Sequence, residues 1–180
     1  MNHITNQHLP FGVQLMNLTP HHDDRGTLIE VFRQEWIADG YFLQWNLVYS
    51  KPNTLRGVHI HNNHTDYLTM VQGGMSLGLK DLREGSPTQN LAVTLQLSAQ
   101  NPQVVIIPPG VAHGFWFEES AIFLYSVNEY WDTKDELGCK FNDPELGFGW
   151  ENLKPNLSKK DQLLPSLASL IANHSFVYTP

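Results

Sequence analysis

A chain of 180 residues is long enough to bury one core and too short to expect two. Its formal charge of −7 argues against a general binder of nucleic acid or of a membrane surface, since both ask for a basic face, though a phosphate site built from a few arginines stays open. The single cysteine, Cys139, cannot close an internal disulfide, and residues 1–7 show no charged region leading into an apolar stretch, so a reducing, cytoplasmic home is expected.

Short β-prone runs broken by turn residues fill most of the chain. The turn Asp23-Asp24-Arg25-Gly26 precedes a strand at 27–33, and an aromatic-rich strand at 41–49 ends at Lys51-Pro52-Asn53. Strands at 55–61, 66–72 and 75–81 follow, with Gly73-Gly74 reading as a hairpin turn between the last two. Further strands are expected at 91–97, 104–107, 113–117 and 122–130. The most apolar run, 104–112, carries Pro108 and Pro109 and is far too short to span a bilayer. Residues 141–150, rich in Pro, Gly and Asp, read as a long ordered loop. A single helix is expected at 159–172, where Leu163, Leu164, Leu167 and Leu170 recur at helical spacing. The expectation is one mainly β domain over 1–180, with a barrel at about 25–150 and a terminal loop and helix at 151–180.

Of the nine histidines, His59, His61 and His64 cluster in one place and His113 follows a proline–glycine turn. On a strand, positions 59 and 61 share a face, so both imidazoles would enter one cavity if that face is the barrel interior. His59, His61, Asp66 and Gly73, then Pro108, Gly110 and His113, match most of the two-part signature of the cupins, a family of jelly-roll β-barrels. The upstream glycines are absent (Asn53 and Pro102 stand there), and Asp66 replaces the usual glutamate. Three imidazoles and a carboxylate suit a divalent transition metal; they equally suit a pocket of hydrogen-bonded polar groups. His21 and His22, in a polar turn, are expected at the surface.

Seven longer strings, in order from Arg25 to Asp161, resemble the dTDP-4-dehydrorhamnose 3,5-epimerase family. They are Asp24-Arg25-Gly26, Leu55-Arg-Gly-Val-His59, Asp81-Leu-Arg-Glu-Gly-Ser-Pro-Thr88, Ile107-Pro-Pro-Gly-Val-Ala-His-Gly-Phe115, Phe123-Leu-Tyr125, Asp143-Pro-Glu-Leu-Gly147 and Leu157-Ser-Lys-Lys-Asp161. The resemblance implies a homodimeric cupin-type barrel that works without a metal on a nucleotide sugar. Epimerisation beside a ketone needs a base on one face of the carbon, an acid on the other, and stabilisation of the enolate between them. By the same resemblance His59 is the base, Asp161 its orienting partner and Tyr125 the acid. Arg25 and Arg56 bind the diphosphate, and Gln44, Asn46 and His113 line the substrate site.

Each residue has a structural reading beside the functional one. Asp161 follows Ser158 at capping-box spacing, Tyr125 fits a packed barrel tyrosine, and Arg56 is out of phase with His59 on a straight strand. Two positions also depart from the family. His61 stands in place of a glutamine, and Asp66 replaces a lysine that helps stabilise the enolate, which puts the standard 3,5-epimerase activity in doubt. An ionised carboxylate has the wrong sign for that task. Either a metal on His59, His61, Asp66 and His113 supplies the Lewis acid, or Asp66 stays protonated and donates a hydrogen bond. Three functions follow: an epimerase or isomerase of a 4-keto-6-deoxy nucleotide sugar, a metal-dependent cupin oxygenase or isomerase, or a sugar-binding cupin without catalysis.

Overall fold

A computed structural model describes residues 8–37, 40–130, 132 and 135–179, so the N-terminal stretch read for a leader, 1–7, lies outside the described residues. Two five-stranded antiparallel sheets face each other. The first has the order β1 (Gln14–Asn17), β9 (Gln103–Ile107), β6 (Asp66–Gln72), β11 (Ala121–Val127) and β4 (Gln44–Ser50). The second has the order β12 (Leu137–Gly138), β5 (Thr54–Ile60), β10 (Val111–Phe117), β7 (Gly74–Asp81) and β8 (Ala92–Ser98). A separate hairpin, β2 (Pro20–Asp23) with β3 (Gly26–Ile29), joins neither sheet and carries His21 and His22 exposed, as expected.

Inward-facing Leu68, Leu77, Val105, Phe117 and Phe123 meet between the sheets and form the central core. A second cluster covers the outer face of the second sheet, where Val58, Ile60 and Cys139 pack against Leu146, Trp150, Leu167 and Leu170 of the C-terminal segment. Burial pushes the Cys139 thiol up to about 12, which makes it an inert packing group. Because both of their faces are covered, β6 and β7 are buried almost continuously, whereas β4 alternates and leaves Trp45, Leu47 and Tyr49 exposed.

The structure differs from the sequence reading in several places: β1 pairs with β9 ahead of the barrel start expected near residue 25, the strand expected at 27–33 ends at Ile29, and two further elements are rearranged. Gly73-Gly74 does not close a hairpin: β6 pairs with β9 and β11, and β7 with β10 and β8, so the chain crosses here from one sheet to the other. Gly73 has a φ of +73°, and a Cβ on it would come within 2.8 Å of the Ser120 carbonyl oxygen, so the crossing needs glycine for space as well as conformation. The expected single helix at 159–172 is two, α1 (Lys159–Gln162) and α2 (Leu167–Asn173). Pro165 has no N–H to donate and disfavours helical backbone at Leu164, and Ser166 then caps the second helix by accepting from the Ser169 N–H. Among the described residues no helix is long and apolar enough to cross a membrane.

Candidate active site

A cavity of about 510 Å³ opens between the two sheets at the end where β5, β6, β10 and β11 meet the C-terminal segment. His59, Arg56, His113, Tyr125 and Asp161 all line it. Arg56 and His59 share the cavity because β5 bulges between them. His113 pairs with His59 and Phe115 with Arg56, so two steps along β10 oppose three along β5. The extra residue inverts the alternation, which is why an arginine out of phase on a straight strand still reaches the pocket. Gly57 sits in the bulge with φ +105°, where a Cβ would lie 2.9 Å from the His113 carbonyl oxygen. The Arg56 guanidinium is held by Ser50 Oγ at 3.1 Å and the Tyr49 carbonyl at 3.4 Å.

Asp161 both caps and reaches the site. Its backbone N–H donates to Ser158 Oγ at 3.0 Å, fixing the start of α1, while its carboxylate accepts from His59 Nε2 at 2.7 Å. The Gly57 N–H faces the other carboxylate oxygen at 3.5 Å. Main-chain bonds from Leu55 N to Asn156 O (3.1 Å) and from Asn156 N to Asn53 O (2.6 Å) fasten this segment along β5. Burial alone would raise the Asp161 carboxyl; the hydrogen bond and charge of His59, with help from Ser158 and Gly57, outweigh it and hold Asp161 below the ordinary carboxylate value. A carboxylate only accepts, so His59 carries its proton on Nε2 and keeps its lone pair on Nδ1. Ser158→Ala is therefore expected to cost about 1 kcal/mol of stability, as lost caps do. It should also loosen His59, so a melting curve and a rate measured on the same variant should fall together.

Tyr125 stands on β11, in the sheet that faces β5, and burial, then the nearby Asp66, raises its phenol above the ordinary value. Asn46 pairs directly with Tyr125 across β4 and β11. It accepts from Gln44 Nε2 at 3.1 Å, and its own Nδ2 is buried without a partner, the only such side-chain atom among the described residues. Gln44 and Asn46 share the inner face of β4 with Val48; Val48 lines the cavity, and Gln44 and Asn46 stand beside it without lining it. Arg25 is not brought there within one chain: it lies on the β2–β3 turn, 90% exposed, paired with Asp23 at 2.6 Å.

Of the alternative metal set read from sequence, His59, His61, Asp66 and His113, the fold gathers His61, Asp66 and His113 within 4.8 Å of one another. His59 is engaged by Asp161, and His64, which looked like part of a polar loop among Asn62, Asn63 and Thr65, is buried instead and grouped with His61 and Asp135, its Nε2 3.9 Å from Asp66 Oδ2. Burial lowers His61 to about 4 and lowers His64 and His113, so all three are neutral imidazoles, while burial raises Asp66 well above the carboxylate range. Asp135 was also missed. It organises the 62–64 turn by accepting from Asn62 N (2.8 Å), Asn63 N (3.2 Å) and His64 Nδ1 (3.1 Å). A histidine between a His-x-His pair and an acid was the one signal the sequence carried for this.

The two facing sheets form a cupin-type jelly-roll barrel whose open end holds the His59–Asp161 pair on one side and Tyr125 on the facing sheet. The chain belongs to the dTDP-4-dehydrorhamnose 3,5-epimerase family, whose profile matches residues 9–169. A dTDP-4-dehydrorhamnose 3,5-epimerase of Neisseria gonorrhoeae is 37% identical over 147 residues, covering 77% of this chain and 45% of that protein, so the chain spans about half the length of this relative. A Bacillus anthracis enzyme of the same name, solved with TDP and pyrophosphate bound, superposes with a TM-score of 0.80 at 33% identity, covering 87% of this chain and 94% of that one. A 3'-monoepimerase from Streptomyces bikiniensis, solved with dTDP-quinovose, gives 0.82 at 26% identity, covering 90% and 87%.

Proposed function

We propose that this chain is an epimerase of a 4-keto-6-deoxy nucleotide sugar that works by general acid–base chemistry. The observation that carries the reading is the His59–Asp161 pair on one wall of the cavity with Tyr125 on the facing sheet. His59 Nδ1 takes the proton from the carbon beside the ketone, and Asp161 orients the ring and stabilises the imidazolium that forms. The Tyr125 hydroxyl returns a proton to the opposite face, inverting the centre, and the phenolate regains its proton from solvent. Arg56 at the cavity wall suits the diphosphate and His113 the sugar, while Gln44 and the unsatisfied Asn46 amide, beside the cavity on the inner face of β4, suit the sugar hydroxyls. These proton transfers need no cofactor.

Asp66 in place of the family's lysine favours a divergent member, acting at one or both carbons beside the ketone. We assign it to the cytoplasm as a homodimer. Support comes from the β2–β3 hairpin, which pairs with no other described strand, and from the exposed Trp45, Leu47 and Tyr49; a second copy would be needed to bring Arg25 to a pocket. The test is proton exchange in heavy water with a dTDP-4-keto-6-deoxy sugar, followed by NMR. Enzyme-dependent deuterium at C3, C5 or both is expected, and exchange no faster than the buffer blank would refute the reading.

A further inference from the structure

We propose that the outer face of the second sheet carries a binding site for an uncharged saccharide, separate from the cavity that holds His59. The inference stands independently of the epimerase reading. A groove of about 590 Å³ runs over β7 between β10 and β8 and shares no lining residue with that cavity. Its floor follows from the strand register. The outward positions of β7 include Gly74, Ser76 and Gly78, all small, so the sheet is sunken along this strand. Trp116, Ser76 and Gln96 stand in one row across β10, β7 and β8, each the direct partner of the next. Phe148 closes one end, its ring so close over Gly78 that a Cβ there would fall 2.7 Å from it. Trp150 meets Phe148 edge-on, with ring centroids 5.0 Å apart, and covers Gly114, where a Cβ would lie 3.0 Å from the indole. These two glycines let the C-terminal segment settle on the sheet as an aromatic wall.

The lining selects the ligand class. Beside the rings it offers neutral polar groups, Thr94, Gln96 and Ser98 of β8, and the carboxylates of Glu118 and Glu119, which follow Trp116 at the end of β10. Among the described residues no lysine, arginine or histidine lines the groove, so a phosphate or any other anion would meet two carboxylates with nothing to offset them. A saccharide uses both halves of this surface. The C–H faces of its rings are apolar and stack on indole, while its hydroxyls ask for donors and acceptors placed around that contact. Gln96 Nε2 donates to Ser76 Oγ at 3.1 Å, which fixes the amide on the floor and leaves Gln96 Oε1 to accept and the Ser76 proton to be donated. The Glu118 and Glu119 carboxylates add acceptors for the stronger, charge-assisted bonds to hydroxyls. Trp116 is half-buried, so its ring is held in place yet presents surface to the groove. The volume lies within the about 300–1,000 Å³ of small-ligand sites. An amine would use the two carboxylates and leave the row of Trp116, Ser76 and Gln96 without a role.

The experiment titrates the whole chain with uncharged trisaccharides of glucose, mannose, galactose and rhamnose, using saturation-transfer NMR to detect contact and calorimetry to read affinity. At least one of the four is expected to bind, and added dTDP should not displace it. Trp116→Ala should weaken binding by about tenfold or more, and Trp116→Phe, which keeps a ring to stack on, by less. Gln96→Ala should weaken it by about tenfold, the worth of a lost hydrogen bond. Far-UV circular dichroism shows which variants stay folded, and Gln96, an exposed residue, reads the site even if Trp116→Ala does not fold. The proposal fails if none of the trisaccharides binds at millimolar concentration, or if binding is unchanged in folded Gln96→Ala and Trp116→Phe. It also fails if dTDP displaces the trisaccharide, which would place the sugar in the cavity of His59, or if tetramethylammonium binds the groove and no trisaccharide does. Loss of proton exchange with trisaccharide binding intact would count against the epimerase reading alone.

Discussion

Replacing His59 by Gln is expected to cut the turnover of a 4-keto-6-deoxy nucleotide sugar by about 10²–10⁴-fold, the usual worth of a positioned general base. The melting temperature should fall only modestly, because the Gln amide can still donate to the buried Asp161 carboxylate that His59 holds. Asp161→Asn should lower turnover in the same direction with little change in KM. The amide can no longer stabilise an imidazolium, and its NH₂ can present a donor where His59 Nε2–H needs an acceptor. Tyr125→Phe separates the two halves of the reaction. With the base intact, deuterium should still wash into the position beside the ketone by return to the original face, while inversion falls by about 10²-fold or more. If Tyr125→Phe inverts the centre at the parental rate, the acid lies elsewhere; if His59→Gln exchanges normally, the base does.

The strands of the two sheets were legible because alternation and β-branched runs are local properties, and 66–72 coincides with β6. What the sequence hid was long-range. Two β runs joined by Gly73-Gly74 look the same whether they pair with each other or enter opposite sheets, and only the register with β9, β10 and β11 separates the cases. The leucines of 163–170 keep their helical spacing across the break at Pro165, so periodicity outweighed a breaker that should have divided the element. The site divided along the same line. His59 and His61 do enter one cavity, as their spacing implied. Their separate fates, one bound to a helix cap and the other stacked on His64, depend on where residues 135 and 161 return in space. Arg56 needed a bulge that nothing but Gly57 announced.

Asp81→Ala should be the most destabilising single change outside the apolar core, costing about 3–5 kcal/mol, as removing one partner of a buried ion pair does. That corresponds to a melting temperature lower by on the order of 10 °C. Asp81 opens the string Asp81–Thr88 that helps carry the family resemblance, yet it does not line the cavity. Its fully buried carboxylate accepts from Arg83 N (3.1 Å), Nε (2.8 Å) and Nη2 (2.8 Å), from Ser86 Oγ (2.6 Å) and from Thr88 Oγ1 (2.7 Å). Arg83 in turn reaches the Phe11 carbonyl at 2.6 Å and lies 5.6 Å from the Tyr178 ring centroid, so the loop ties both ends of the chain to the barrel. Burial pushes the Asp81 carboxyl up, but the hydrogen bonds from Arg83, Ser86 and Thr88 outweigh it and leave it below the ordinary value. A carboxyl depressed in the folded state stabilises fully above its unfolded value, about 3.9, and loses that stabilisation as pH falls through the folded one. The stability gap between wild type and Asp81→Ala should therefore be constant above about pH 5 and narrow steadily below about pH 4. Urea melts at a series of pH values measure it. A gap that stayed the same down to pH 2, or a loss under 1 kcal/mol at neutral pH, would mean that this carboxylate does not hold the loop.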